Sequence, residues 1–240
     1  MKKSFSLIEL VIVLVVIGIL YSSINFSLSD NSLRMAASQL ISHINYTRHL
    51  AIKDNKMQYY PINNSAVEMN RSKYWFKQWW QLRISKNQNG DIFYEIFSDF
   101  PTDADSTNFD QKGLLINEFA KNPSNDKYLD GNYAGSNEEE ADARLNLTNY
   151  YKIVKVIIND NGNIYNIASN KSFRIIFDHY GDGYLSEGIV SDGGDTNPYD
   201  MNNRKPLLNP LKISLCKDDN CEKNISICLS AKIGNIYYCK

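Results

Sequence analysis

Motifs of the common enzyme classes are absent from this sequence. Its histidines, His43, His49 and His179, do not occur in a zinc-binding spacing such as His-Glu-x-x-His. It has no Gly-x-x-x-x-Gly-Lys loop to cradle a phosphate, so any ATP-driven work would come from a separate motor protein. A serine, a histidine and an acid could form a catalytic set only through folding, and no motif marks one. We therefore expect a protein that is not an enzyme and has no resident cofactor.

A strong excess of charge is also absent. The formal net charge is −1 and 43% of the residues are hydrophobic, which argues against a wholly basic nucleic-acid binder and against a disordered acidic chain. Cysteine is scarce, and all 4 cysteines follow residue 215. Such cysteines suit a domain exported to an oxidising compartment, where disulfides persist. The 240 residues leave room for one compact domain beside the N-terminal segment.

No proline precedes Pro61, and the N-terminal segment has the features of a long helix. Residues 5–26 are largely apolar and match the roughly 20 residues that a helix needs to cross a bilayer. Lys2 and Lys3 before this run place the amino end in the cytoplasm. Glu9 is anomalous, because an ionised carboxylate at bilayer depth normally has a partner or a function. A secretory signal peptide is the alternative, but it leaves Glu9 unexplained and no Ala-x-Ala cleavage site follows.

The segment Ser4-Phe5-Ser6-Leu7-Ile8-Glu9, followed by the apolar run, resembles the class III signal of type IV pilins and type II secretion pseudopilins. Ser4 stands where that signal usually has glycine, and Ser6 where it usually has threonine. The resemblance implies that a prepilin peptidase removes residues 1–4 by cutting between Ser4 and Phe5, and that the new amine of Phe5 is methylated. It also implies a partner for Glu9, since the Phe5 amine of a neighbouring subunit can lie against it.

An apolar stripe continues beyond the proposed membrane segment, which predicts that the helix continues through residues 27–56 as an amphipathic half. Its members recur three or four residues apart: Leu33, Ala37, Leu40, Ile44, Thr47 and Ala51. The rest of the chain, residues 57–240, has short apolar runs separated by Asn-Gly turns, which indicates antiparallel strands. The predicted fold is therefore α+β, a long N-terminal helix with a transmembrane half and an amphipathic half, packed on an antiparallel sheet or sandwich head.

Two hairpins are predicted around the Asn-Gly turns. Residues 74–85 and 92–97 flank Asn87–Gly90, and residues 151–158 and 163–168 flank Asn159–Gly162. Further strands are expected at 173–177 and 225–231, with long loops and a short helix near 137–145 inside the acidic stretch 101–145.

The Trp-rich run from Tyr74 to Ile84 resembles a strand of H-type minor pseudopilins, and the end of the chain resembles their closing hairpin. We interpret Trp75, Trp79 and Trp80 as core residues rather than as a stacking platform for a ligand.

The four cysteines allow three full pairings. If Ala231 lies opposite Ile236 in the closing hairpin, the apolar residues share one face and Cys228 falls opposite Cys239. This register leaves Cys216 for Cys221, so we expect the disulfides Cys216–Cys221 and Cys228–Cys239.

The stretch from Asp178 to Glu187 offers oxygen ligands around a Gly-Asp-Gly turn, with Asp178, Asp182 and Glu187 as candidate calcium ligands. Resemblance adds weight, because related pseudopilins hold calcium in carboxylate loops. The stretch departs from the EF-hand pattern at Tyr180 and Ile189, and an ordinary hairpin turn is the alternative.

The basic end of the chain offers candidate DNA contacts at Lys232, Tyr237, Tyr238 and Lys240, with an ordinary solvated face as the alternative.

The resemblance as a whole implies a minor pilin or pseudopilin of a type II secretion or type IV pilus-like filament, with a role in DNA uptake or as a tip adhesin as alternatives. It would be a single-pass protein of the bacterial inner membrane with its amino end in the cytoplasm and its head in the periplasm. The implied partners are other pilin subunits, the prepilin peptidase and the inner-membrane platform.

Overall fold

The structure is a computed structural model that describes residues 7–58, 60–99, 116–133, 137, 139–167, 171–186, 190–191, 204–232 and 234–239. For residues 21–30, 171, 186, 190 and 191 it describes the backbone alone. The predicted cleavage site at Ser4 and Phe5, the candidate ligand Glu187 and the candidate DNA contact Lys240 lie outside these residues.

The chain forms three α-helices and eleven strands within the described ranges. The helices are α1 (Leu7–Lys53), α2 (Ala66–Lys73) and α3 (Leu147–Tyr151), and short 3₁₀ helices occur at Trp75–Gln78, Ile116–Glu118 and Ala143–Leu145. The strands are β1 (Gln81–Lys86), β2 (Ile92–Phe97), β3 (Lys155–Asp160), β4 (Asn163–Asn166), β5 (Lys171–Phe177), β6 (Gly183–Ser186), β7 (Val190–Ser191), β8 (Arg204–Pro206), β9 (Leu211–Cys216), β10 (Asn224–Leu229) and β11 (Ile236–Tyr238).

Helix α1 is continuous over 47 residues, which corresponds to about 70 Å at 1.5 Å per residue. The polar stretch at residues 25–31 does not interrupt it. Every member of the predicted stripe is buried: Leu33, Ala37, Leu40, Ile44, Thr47 and Ala51. Within the described residues, no helix has both the length and the apolar character that a membrane crossing requires.

The first sheet has the order β2-β1-β5-β6-β8, with β7 also paired to β5, and all its pairs are antiparallel. The predicted hairpin around Asn87–Gly90 is confirmed, with Lys86 opposite Ile92 at its closed end. The predicted strand start at Tyr74 is wrong, because Trp75–Gln78 is a 3₁₀ helix and β1 begins at Gln81. The backbone carbonyls of this segment accept hydrogen bonds from side chains and not from a neighbouring strand. Arg204 donates to the Phe76 carbonyl, and Ser98 donates to the Gln78 carbonyl.

The second sheet has the order β11-β10-β9-β3-β4 and is also antiparallel. Its second predicted hairpin is confirmed at β3 and β4, where Asn161 and Gly162 have φ of 48° and 97°. The expected strand start at Tyr151 is wrong, since Tyr151 ends α3 and β3 begins at Lys155. Alternate residues of the central strands are buried, so this sheet turns one apolar face inward.

Helix α1 packs against strands of both sheets, and the three form one hydrophobic core. Leu40 and Ile44 of the helix, Ile84 and Phe173 of the first sheet, and Ile213 of the second are all fully or almost fully buried in it. The predicted α+β class with a long N-terminal helix on antiparallel sheets is thus confirmed. We call the two sheets and the segments connecting them the head.

The stretch 101–145 was expected to form long loops with a short helix near 137–145. Its described part is largely irregular backbone that runs along β2, where Ile96 donates to the Leu129 carbonyl and accepts from the Ala120 amide. The helical turns are Ala143–Leu145 and α3. Irregular backbone therefore satisfies the hydrogen-bonding groups at the β2 edge.

Candidate assembly surface and neighbouring sites

The first part of α1 presents apolar side chains on all sides. From Leu7 to Leu20 every residue is exposed, and the large apolar side chains there are 45–81% accessible. Glu9 lies in the first turn of the helix among them. A continuous apolar surface of this kind marks contact with another protein or with a membrane.

The second part of α1 is attached to the head by a polar network as well as by the apolar stripe. The Gln39 amide donates to the Tyr94 hydroxyl at 2.6 Å and to the Arg144 carbonyl at 3.0 Å. The hydroxyl of Tyr151 donates to Gln39 at 2.6 Å, and His43 Nδ1 lies 2.7 Å from the Tyr94 hydroxyl. Since Gln39 already donates to Tyr94, the Tyr94 hydroxyl can donate its proton to His43.

Burial governs the ionisation of this network. Desolvation lowers the pKa of His43 to about 4, with the nearby Asp142 charge acting in the opposite direction, so the imidazole is neutral at pH 7. Burial would raise the pKa of Asp142, but hydrogen bonds from Arg144 and Asn122 outweigh it and lower the value to about 2. Arg144 and Asp142 form a bidentate pair at 2.6 and 2.8 Å.

Four members of the network line a groove of about 600 Å³ beside α1, together with Met35, Tyr46, Pro123 and Tyr150: Gln39, His43, Arg144 and Tyr151. One member of the network had a signal in the sequence, because His43 lies three residues after Leu40 of the apolar stripe and so falls beside it. Its partners come from distant segments and carried no signal. Gln39 and His43 thus hold α1 against Tyr94 and the Arg144 carbonyl, and the Asp142–Arg144 pair fixes the turn that carries this carbonyl.

Arg48 links α1 to a turn from each sheet. Its Nε donates to the Gly181 carbonyl at 2.9 Å, in the turn between β5 and β6. Gly181 and Gly234 have φ of +81° and +63°, and a Cβ added at either would lie 3.0–3.1 Å from Arg48. Glycine is therefore required at both turns for the backbone to approach the helix.

The first sheet carries buried charges on the face opposite to the one that Ile84 presents to the hydrophobic core. Arg83 and the fully buried Glu95 are paired at 2.6 Å, and Arg174 donates to Gln81 at 3.0 Å. Both guanidinium groups lie over the Phe97 ring, at 5.0 and 5.8 Å from its centre. Burial raises the pKa of Glu95, and the Arg83 charge opposes this.

Both predicted disulfides are present, Cys216–Cys221 and Cys228–Cys239. The predicted register of the closing hairpin is wrong by two residues, because Leu229 rather than Ala231 lies opposite Ile236. A shift of two keeps every side chain on its predicted face, so the cysteines stay on the same side of the sheet. Cys239 lies just beyond β11, and its Cα is 5.2 Å from that of Cys228.

The Asp178 loop forms the hairpin turn between β5 and β6, with Phe177 opposite Gly183. One Asp178 oxygen accepts the amides of Tyr180 and Asp182 at 2.9 Å, and the other lies 3.3 Å from the Tyr184 hydroxyl. The Asp182 side chain is exposed. No group of three acidic, histidine or cysteine residues in the described ranges is placed to hold a metal ion. The candidate calcium site is thus seen here as a closed turn, with Glu187 outside the described residues.

The described candidate DNA contacts, Lys232, Tyr237 and Tyr238, do not form one platform. Tyr237 and Tyr238 are 47% and 46% exposed, but as neighbours in β11 they point to opposite faces. Lys232 lies in the turn before β11 with φ of 60°. Tyr238 instead lines a groove of about 560 Å³ with Lys212 of the basic end and with Arg34 of α1, which the sequence analysis did not consider.

The Trp-rich segment packs as expected at one position. Trp79 is 6% exposed, lies 6.2 Å from Trp75 between ring centres, and has the Arg204 guanidinium 4.9 Å above its ring. Trp80 is half-buried and donates to Asp54 at the end of α1. These contacts support a structural role for the segment.

Comparison with protein-family models, with curated proteins and with solved structures finds no match to this chain. Inference of its function therefore depends on the residues and the geometry.

Proposed function

We propose that the protein is a minor pilin or pseudopilin, a filament subunit anchored in the bacterial inner membrane by residues 5–26 with its head in the periplasm. The observation that supports this best is the division of α1 into two zones. Side chains of residues 7–20 are exposed on every side, whereas Leu33–Ala51 is fixed to two sheets. A helix with an exposed apolar end and an end packed on the head can pack against equivalent helices while the head stays outside.

Glu9 is the second support for this proposal. It lies in the first helical turn with apolar residues on both sides. A carboxylate in that setting requires a cationic partner when the helices are packed together or held in a membrane. The cleaved and methylated Phe5 amine of the next subunit would provide that charge, and the signal around Ser4 supplies the means of producing it.

The test is Glu9→Ala with Glu9→Asp as the matched control. We expect Glu9→Ala to leave membrane insertion and cleavage intact and to abolish recovery in sheared filament fractions, because it removes the acceptor for the neighbouring amine. Glu9→Asp keeps the charge and should recover at least in part. Equal recovery of Glu9→Ala and the unmodified chain in filaments would refute the proposed role.

Cleavage has a separate test. We expect Ser4→Arg to block removal of residues 1–4, because the position before the cut accepts a small residue. The variant should migrate more slowly than the processed chain on a high-resolution gel. Unchanged mobility would contradict the proposed cleavage site without affecting the role of Glu9.

A further inference from the structure

The head has one end close to the exposed apolar part of α1 and one end far from it. Ser32 Oγ donates to the Tyr151 carbonyl at 3.5 Å, and the next residue, Leu33, is buried. Arg48 contacts the turn at Gly181 near the other end of α1. Sixteen residues separate Ser32 from Arg48, which corresponds to about 24 Å along the helix. We call the surface around Ser32 and Tyr151 the near end.

Four cations gather at the near end. Lys217 Nζ donates to the Tyr151 carbonyl, the same group that accepts Ser32, and Lys152 is the next residue in the chain. Burial, and then the charge of Lys152, lower the pKa of Lys217, so the two ammonium groups are close enough to repel each other. Arg34 lies two residues after Ser32 in α1 and lines a groove with Lys212.

Acidic residues offset this cluster only in part. Among the residues that the structure describes, Arg34, Lys152, Lys212 and Lys217 form no salt bridge. The turn after Lys217 carries three acidic residues, Asp218, Asp219 and Glu222, while Lys155 donates to the Asp219 carbonyl and Lys223 lies close to Asp218. Among the described residues at the near end, six cations thus outnumber three acids, which leaves a positive net charge.

The proposed anchor sets the height of this charge above the membrane. If the apolar span ends at residue 26, Arg34 is eight residues further, or about 12 Å along the helix. The polar interface of a bilayer adds about 5–8 Å beyond the hydrocarbon, and charges are felt over about 8 Å at physiological salt. Long basic side chains at this height reach the headgroups, and the exposed Tyr238 ring beside them suits the same zone.

We propose that Arg34, Lys152, Lys212 and Lys217 bind the phosphate groups of anionic phospholipids and seat the near end of the head on the membrane surface. The proposal depends on the anchor at residues 5–26. A lipid surface fits better than DNA, because the cations surround the exit of the helix and the two exposed tyrosines do not share a face.

The full chain in detergent is titrated with phosphatidylglycerol or phosphatidylcholine, and bound lipids are counted by native mass spectrometry. We expect preferential binding of phosphatidylglycerol. The variant Arg34→Gln/Lys152→Gln/Lys212→Gln should lose this preference, since each cation near an anionic surface changes affinity about fivefold. Lys217 is retained because of its contact with Tyr151. The matched control Lys53→Gln/Lys73→Gln/Lys232→Gln removes the same charge from exposed lysines elsewhere and should keep the preference.

Equal binding of both lipids, or equal loss in the two triple variants, would overturn the proposal. The proposal would also be wrong if the chain bound a 20-nucleotide single-stranded DNA, lost this binding in the Arg34→Gln/Lys152→Gln/Lys212→Gln variant, and showed no preference between the two lipids. Flotation of the full chain with neutral phosphatidylcholine vesicles tests the anchor by itself. A chain that floats but shows no lipid preference refutes the headgroup contact alone, and one that does not float refutes the anchor.

Discussion

Adding a methyl group at Gly181 tests whether the β5–β6 turn and α1 are as closely packed as the structure shows. Gly181 has φ of +81°, and its new Cβ would lie 2.8 Å from Ile52 Cδ1 and 3.0 Å from Arg48 Nε. Left-handed backbone costs an alanine about 1–2 kcal/mol. Moving the Ile52 methyl group and the Arg48 side chain adds about 1 kcal/mol, which is typical of overpacking. Gly181→Ala should therefore lower the free energy of unfolding by about 2–3 kcal/mol.

A double-mutant cycle separates the two contributions. Ile52→Val deletes Cδ1, the nearest atom, from a side chain that is 46% exposed, and should cost little by itself. In that background Gly181→Ala should cost less, because its backbone strain and the contacts with Arg48 Nε at 3.0 Å and with the retained Cγ1 at 3.1 Å remain but the contact with Cδ1 is gone. Urea unfolding of the full chain, followed by tryptophan fluorescence, measures all four variants.

The control for this cycle is Gly162→Ala. Gly162 also has a positive φ, of +97°, but nothing lies within 4 Å of an added Cβ. Its cost should be the same with Ile52 or Val at position 52. If Gly181→Ala costs the same in both backgrounds, the proposed contact with Ile52 is wrong.

Three further measurements test other parts of the molecule. Burial lowers the pKa of His43 from 6.5 to about 4, so its contribution to stability is complete above pH 6.5 and falls as the pH drops towards 4. Between pH 7 and pH 4 the unmodified chain should therefore lose up to about 3 kcal/mol more of its free energy of unfolding than the His43→Gln variant loses. Replacing Cys228 and Cys239 by serine opens a loop with a separation of 11 residues and should lower the free energy of unfolding by about 3 kcal/mol. A Cys221–Cys228 peptide in a non-reduced digest would contradict the pairing itself. Deletion of the gene should abolish either protein secretion or natural transformation, and loss of transformation with intact secretion would favour DNA uptake over the secretion role.

Local signals in the sequence were sufficient where neighbouring residues determine the structure. The Asn-Gly turns located both hairpins, since residues with positive φ are required there. The apolar stripe located the head-facing side of α1 over Leu33–Ala51. The disulfides could be predicted despite a wrong register because an error of two residues preserves the face of the sheet.

Other features depend on partners that are distant in sequence. The aromatic run at residues 74–80 has a composition typical of a strand. A 3₁₀ turn is favoured there because Arg204, more than a hundred residues away in the sequence, donates a hydrogen bond to the Phe76 carbonyl. Burial of Glu95 follows from its pairing with Arg83 across β1 and β2, which composition does not reveal. Helix α2 had a local signal that was missed, since Ser65 caps the amide of Glu68 as in a capping box.

The polar contacts of α1 are distributed in a way that suits a subunit pulled along its helix. Ser32 binds the segment before β3, Gln39 and His43 bind β2 and the Arg144 turn, and Arg48 binds the β5–β6 turn. Trp80 then holds Asp54, so the contacts extend over about 33 Å of helix. An axial force on residues 7–20 would be shared among both sheets instead of acting on a single contact. A head attached at one point could fold equally well, but it would detach at the weakest bond, so the spread of contacts along α1 is itself an argument for a load-carrying role.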